Sequence, residues 1–250
     1  MPLLSEYDLS GQVAILATSG GDEAPFLAQA LAEAGASVFP VARNQSNLVA
    51  VLNTLPAGSP GATVGRISLA AVISVMEQFD RAYDRVDILV NDARSIYAAP
   101  FADIRETHWD EIQSRNAKLP FLLCQQVLPR MAAREYGRIV NLISELAERG
   151  MINGSVYCAA QAGVLNLTRA LALEWARSGI TVNAIGAGWT DGMGLLKDAH
   201  IQEQLVRYLP HKRLAQPHEI GEAAVYLASD KSGFITGQTV WIEGGALSHL

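Results

Sequence analysis

Tyr157 lies thirteen residues after Ser144 and four before Gln161, which is one helical turn away on the same face of a helical segment. A phenol can donate and accept a proton, but its ordinary pKa of about 10 keeps it protonated at neutral pH unless a nearby cation favours the phenolate. Gln161 can hydrogen-bond and supplies no such charge. Cys124 and Cys158 each sit among apolar neighbours in predicted helices and read as buried free thiols, with Cys158 directly beside Tyr157. His108, His200, His211, His218 and His249 show no metal-ligand spacing, so they read as surface residues and no metal site is expected.

These side chains need a scaffold, and the apolar pattern supplies one. The chain has 250 residues, 50% of them apolar, enough for one domain spanning 1–250. Strand-length apolar runs at Val13–Ala17, Ser37–Val41, Asp87–Val90, Arg138–Ile143, Thr181–Ile185 and Thr239–Ile242 alternate with longer segments of helical period. Ala62–Ile67 is a weaker strand candidate. Such alternation predicts an α/β protein, a parallel sheet covered by helices on both faces. Asp22–Ala34 reads as the first helix, with Gly35 as its C-cap, and Leu55–Gly61 as a surface turn.

A formal net charge of −6 leaves no electrostatic footprint for nucleic acid or anionic lipid, so small molecules and proteins are the expected partners. Met1–Gln12 has no basic start followed by an apolar run, and no segment approaches the roughly 18 apolar residues of a membrane span. A cytoplasmic protein is expected.

Gly137–Ser144 (GRIVNLIS), Tyr157–Gly163 (YCAAQAG), Thr181–Ala184 (TVNA), Arg213–Ile220 (RLAQPHEI), Tyr226–Ser229 (YLAS) and Ile235–Gly245 (ITGQTVWIEGG) together resemble the short-chain dehydrogenase/reductase family. The resemblance runs from Gly11 to Gly245. It implies a Rossmann-like doubly wound parallel sheet of about seven strands, with about 189–212 as a substrate lid. It also implies catalytic positions at Asn116, Ser144, Tyr157 and Gln161. Gln161 stands where the family has a lysine that lowers the tyrosine pKa and holds the ribose of a nicotinamide cofactor.

The cofactor side departs from the family pattern. In Ala17–Ala24 (ATSGGDEA) the three glycine positions hold Thr18, Asp22 and Ala24, while Gly20 and Gly21 are out of phase. Asp22 and Glu23 fall in the first helical turn, where a carboxylate satisfies free N–H groups and complements the dipole that would otherwise attract phosphate. At an effective dielectric near 20, a pyrophosphate beside them would cost on the order of several kcal/mol. Asn91–Arg94 reads NDAR, so Arg94 replaces the glycine that passes the cofactor, or else answers the Asp22 and Glu23 carboxylates. Gly65 or Arg66 replaces the acid that reads the adenine, and Gly192 occupies the position of the carboxamide-binding threonine. Arg43, after the second strand, resembles a ligand for the NADP phosphate.

The leading expectation is therefore a degenerate member without cofactor. It would be a non-catalytic structural or regulatory subunit of a hetero-oligomeric hydroxyacyl-CoA or alcohol dehydrogenase, similar to the inactive subunits of mixed assemblies such as that of benzylsuccinate breakdown. A tetramer with a homologous active subunit, or with copies of itself, is expected through the helix at about 110–133, the Tyr157 helix and the last strand. One alternative is an active NAD(P)-dependent alcohol dehydrogenase or ketoreductase, with Tyr157 as acid/base and Ser144 and Asn116 orienting the reactants. The other is a cofactor-independent lyase resembling halohydrin dehalogenases, for which Arg149 is the candidate cation.

Overall fold

The structure, a computed structural model, describes residues 7–19, 23–92, 94–190 and 199–248. Seven parallel strands, β1 (Val13–Thr18), β2 (Ser37–Ala42), β3 (Ala62–Thr63), β4 (Ile88–Asp92), β5 (Gly137–Ser144), β6 (Ile180–Ala187) and β7 (Thr239–Ile242), form one sheet in the order β3-β2-β1-β4-β5-β6-β7. Helices on both faces complete the Rossmann-like α/β fold expected from the apolar pattern.

The two-residue period of the strands divides the core. Ile15, Leu89, Ile139 and Val182 point to one face, where they meet α3 (Leu69–Ala82) and α5 (Leu119–Ala132) through Val72, Phe79, Leu123 and Val127. Leu16, Val90, Val140 and Ile185 point to the other, against Leu27 and Leu31 of α1 (Ala24–Glu33) and Ile220 and Ala224 of the helix Pro217–Ala228. With both faces covered, β1, β4 and β6 are buried along their whole length, which is why they read as continuous apolar runs. α2 (Gln45–Leu52) follows β2, and α6 (Ser155–Trp175) lies along β5 and β6 through Val164 and Leu165.

Some boundaries differ from the sequence reading. β5 and β6 are longer than expected because they pair with each other from Gly137↔Ile180 to Ser144↔Ala187. β3 shrinks to two residues because it is the sheet edge, held only by β2. α1 starts at Ala24 with Pro25 in its first turn. Gly35 closes the helix in the left-handed region at φ +102°, with its N–H donating to Ala32 O at 2.9 Å.

Among the described residues no helix is long and apolar enough to cross a membrane, and no group of three or more His, Cys, Asp or Glu residues could hold a metal. Cys124 is buried and Cys158 half-buried, both free. The direction of strand order reverses between β1 and β4, so the carboxyl ends of β1, β4 and β5 border the crevice where ligands bind in such sheets.

Candidate active site

One turn of π-helix, Ser114–Lys118, interrupts the path from α4 (Glu106–Gln113) to α5 and carries Asn116. The buried Asn116 amide donates to Ile112 O at 2.9 Å and to Ser95 O at 3.0 Å, and its oxygen accepts from Ser95 N–H at 2.8 Å. Gln161, on α6, donates to the same Asn116 oxygen at 3.1 Å and accepts the Ser144 N–H at 2.8 Å. Gln161 is thus a buried bridge from the end of β5 to Asn116, which in turn holds the loop after β4 at Ser95, and each end of its amide is engaged by protein.

Tyr157 is 1% exposed, one turn before Gln161. Burial pushes its pKa well above the ordinary value, against the lowering pull of Arg94 and of the hydrogen bond with Ser144, and Asp92 and Glu23 push it further up. The phenol is therefore protonated at neutral pH. The Ser144 hydroxyl also accepts the Leu146 N–H at 3.2 Å, which fixes the chain as it leaves β5.

Behind the tyrosine lies a buried charge cluster. Arg94 Nε donates to Asp92 Oδ1 at 3.0 Å, and Arg94 Nη2 lies 3.4 Å from Glu23 Oε1. The three side chains are only 3%, 1% and 2% exposed for Arg94, Asp92 and Glu23. Burial raises the Asp92 carboxyl above the usual carboxylate range, Arg94 opposes this, and Glu23 adds to it. For Arg94, burial favours loss of the proton, but the charges of Glu23 and Asp92 outweigh it and hold the guanidinium more firmly charged than usual.

For Glu23 this corrects the expectation that the acids at the start of α1 cap the helix against phosphate. Glu23 stands at the N-cap, but its side chain makes no capping hydrogen bond and turns to Arg94 instead. Asp22 and Gly192 lie outside the described residues. Thr18 and Ala24 are buried at the end of β1 and the start of α1, whereas Arg43, Gly65 and Arg66 are exposed. Arg43 is close enough to Arg115 that, after burial, its charge lowers the Arg115 pKa. Arg149, the expected cation of the dehalogenase-like alternative, is paired with Glu145 and donates to the Tyr208 hydroxyl at 2.9 Å. Asp92 was missed from sequence, although a charged residue closing the buried run ILVND was a signal for it.

Replacing Gln161 by leucine is expected to lower stability by about 1–3 kcal/mol, because the Ser144 N–H and one Asn116 contact lose their partner in a dry site. Urea denaturation checks this, and a midpoint equal to that of the parent would show that the bridge contributes nothing.

The family profile described as enoyl-(acyl carrier protein) reductase matches residues 24–246. The chain belongs to the short-chain dehydrogenase/reductase family. It is 31% identical over 240 residues to the 3-oxoacyl-(acyl-carrier-protein) reductase FabG of Vibrio cholerae, covering 95% of this chain and 98% of that protein. Nodulation protein G of Azospirillum brasilense is 42% identical over 162 residues, a match spanning 64% of this chain and 65% of that protein's length. A gluconate 5-dehydrogenase from Burkholderia cenocepacia, solved with NADP and tartrate, superimposes with a TM-score of 0.89 at 29% identity over 99% of both chains.

These relatives overturn the expectations of a non-catalytic subunit and of no cofactor. FabG and the Burkholderia protein are named as a reductase and a dehydrogenase, and the Burkholderia protein holds NADP.

Proposed function

We propose that this chain is an NADP(H)-dependent carbonyl reductase and alcohol dehydrogenase in which Tyr157 is the acid/base. The observation that carries the reading is the buried Tyr157 beside Ser144, its phenol held protonated, because reduction of a carbonyl needs a proton donor at the developing alkoxide.

The described residues fit a dinucleotide phosphate. Arg94 Nη2 and Glu23 Oε1 face each other at 3.4 Å as an ion pair with no full hydrogen bond, and Asp92 Oδ2 is a buried acceptor without one. These atoms complement phosphate oxygens and ribose hydroxyls, while exposed Arg43 at the end of β2 suits the additional phosphate of NADP. When bound, NADPH would supply a hydride. Tyr157 passes its phenolic proton to the carbonyl oxygen, Ser144 orients that oxygen by hydrogen bonding, and the phenolate regains a proton from solvent. Gln161 and Asn116 hold the Ser144 backbone and the Ser95 loop in register around this transfer. The relatives point to a 3-oxoacyl thioester or a sugar acid as substrate.

Self-association belongs to the same reading, and exposed Phe121 on α5 and Leu173 on α6 support it. Native mass spectrometry reads whether copies pair.

Calorimetric titration with NADPH and NADH, followed by nucleotide oxidation in the presence of a 3-oxoacyl thioester or 5-ketogluconate, tests the reading. Micromolar NADPH binding is expected, and Arg43→Ala should weaken it about tenfold, roughly 1.4 kcal/mol, with NADH unaffected. Absence of binding by either nucleotide would overturn the proposal.

A further inference from the structure

Ser144 ends β5, and the next residue, Glu145, is an acid only 1% exposed. Its carboxylate lies against the end of β6, where a Cβ added to Gly188 would stand 2.9 Å from Glu145 Oε2. Arg149 uses its guanidinium in two directions. Nη2 pairs with the buried Glu145 carboxylate, and Nη1 donates to the Tyr208 hydroxyl at 2.9 Å, with the guanidinium carbon 5.2 Å from the centre of the Tyr208 ring. Tyr208 closes α7 (Ala199–Tyr208). The apolar hold on this helix is small: among its described side chains, residues 202–208, none is buried, and half-buried Leu205 and Val206 pack with Trp189 against Leu209, Leu214 and Ala246. A segment with so few buried apolar contacts opens locally at low cost, so a charge-assisted hydrogen bond to a fixed partner adds materially to its docking.

The carboxyl ends of β5 and β6 are neighbours, at Ser144↔Ala187, and α7 reaches both of them, through Trp189 just beyond β6 and through Arg149 just beyond β5. Resting on the reductase reading for its effect on turnover, we propose that Arg149 is a positioning residue that latches α7 across these two strand ends, so that affinity for the carbonyl substrate depends on the contact between Arg149 and Tyr208. A planar guanidinium suits the task, because one edge meets the Glu145 carboxylate while another meets the tyrosine. A lysine would keep a charge beside Glu145 and lose the second arm. The two duties of Arg149, compensating a buried acid and holding a helix, are therefore separable by substitution.

Hydrogen–deuterium exchange of the full chain without nucleotide, read on peptides within residues 199–208, tests the latch. Arg149→Lys and Tyr208→Leu should each speed exchange of the α7 amides about fivefold, with peptides from β1 and α3 unchanged. The double variant should add little to either single one, because both remove the same contact. With NADPH and a 3-oxoacyl thioester or 5-ketogluconate, each variant should raise KM about fivefold while kcat and NADPH affinity stay within about twofold. Exchange on α7 that matches the parent in both single variants, or that quickens equally across the sheet, would overturn the latch. Turnover with KM unchanged in both variants would also overturn it and spare the reductase reading. Faster exchange confined to α7, in a protein that shows no NADPH-dependent turnover in any form, would leave the latch standing and remove the reductase reading.

Discussion

Replacing Tyr157 by phenylalanine is expected to lower the rate of carbonyl reduction by a factor on the order of 10²–10⁴, the usual contribution of a positioned general acid. The ring that fills the core beside α6 is kept, so folding and NADPH affinity should change little. Only the hydroxyl and its bond with Ser144 are lost. The pH dependence follows from the same burial. With the phenol pushed above its ordinary value of 10.0, the donor form persists across neutral pH, so reduction should not fall on account of Tyr157 until strongly alkaline solution. Alcohol oxidation needs the phenolate and should climb as pH rises. Steady-state kinetics in both directions check this, and a Tyr157→Phe variant that retains most of its activity would show that another group moves the proton.

The second large effect is on stability. Arg94→Leu leaves the carboxylates of Glu23 and Asp92 buried without their cation, and should destabilise the protein by about 3–5 kcal/mol at neutral pH. Adding Glu23→Gln and Asp92→Asn should recover much of the loss, since the damage comes from uncompensated charge rather than missing volume. The pH sign is fixed by Asp92. Its folded pKa is raised by burial above the ordinary 3.8, so the folded state binds that proton more tightly than the unfolded chain does. The contribution is fully present below 3.8 and is lost as pH rises through the raised value. Arg94 is what limits this rise, so the deficit of Arg94→Leu should widen from acid to neutral pH. Urea denaturation across that range checks it, and a deficit independent of pH would mean that Asp92 is not the group responsible.

Much of the scaffold was legible because a sheet covered on both faces must write its strands as apolar runs, as β1 and β4 do. The edge strand β3 was harder to delimit, because it pairs with a single neighbour over two residues. The positions of Asn116, Ser144, Tyr157 and Gln161 were readable from spacing, and the structure brings them together. Their bonding was not readable, since the charge lost at Gln161 is visible in the residue type whereas its two hydrogen bonds depend on where the fold brings Asn116 and the Ser144 backbone. Glu23 shows a local rule losing to a tertiary partner: an acid at a helix start is expected to cap it, but the pairing of β1 with β4 delivers Arg94 within reach. Of the two readings of Arg94, an obstruction by its size and an answer to the acids at the start of α1, its ion pair with Glu23 bears out the second and adds Asp92 as a partner.

The π turn at Ser114–Lys118 also sets a phase relation along the connected helices. It holds one residue more than an α-helical turn of the same span, an offset of about 100° in heading for everything beyond it. Asn116 faces inward, while five residues on Phe121 faces solvent at 47% exposure. Excising a single residue there would rotate α5 relative to α4, carrying Asn116 off the Gln161 bridge and swinging the outward ring of Phe121 round with it. The inner chemistry and the outer contour of this helix are geared together through one turn.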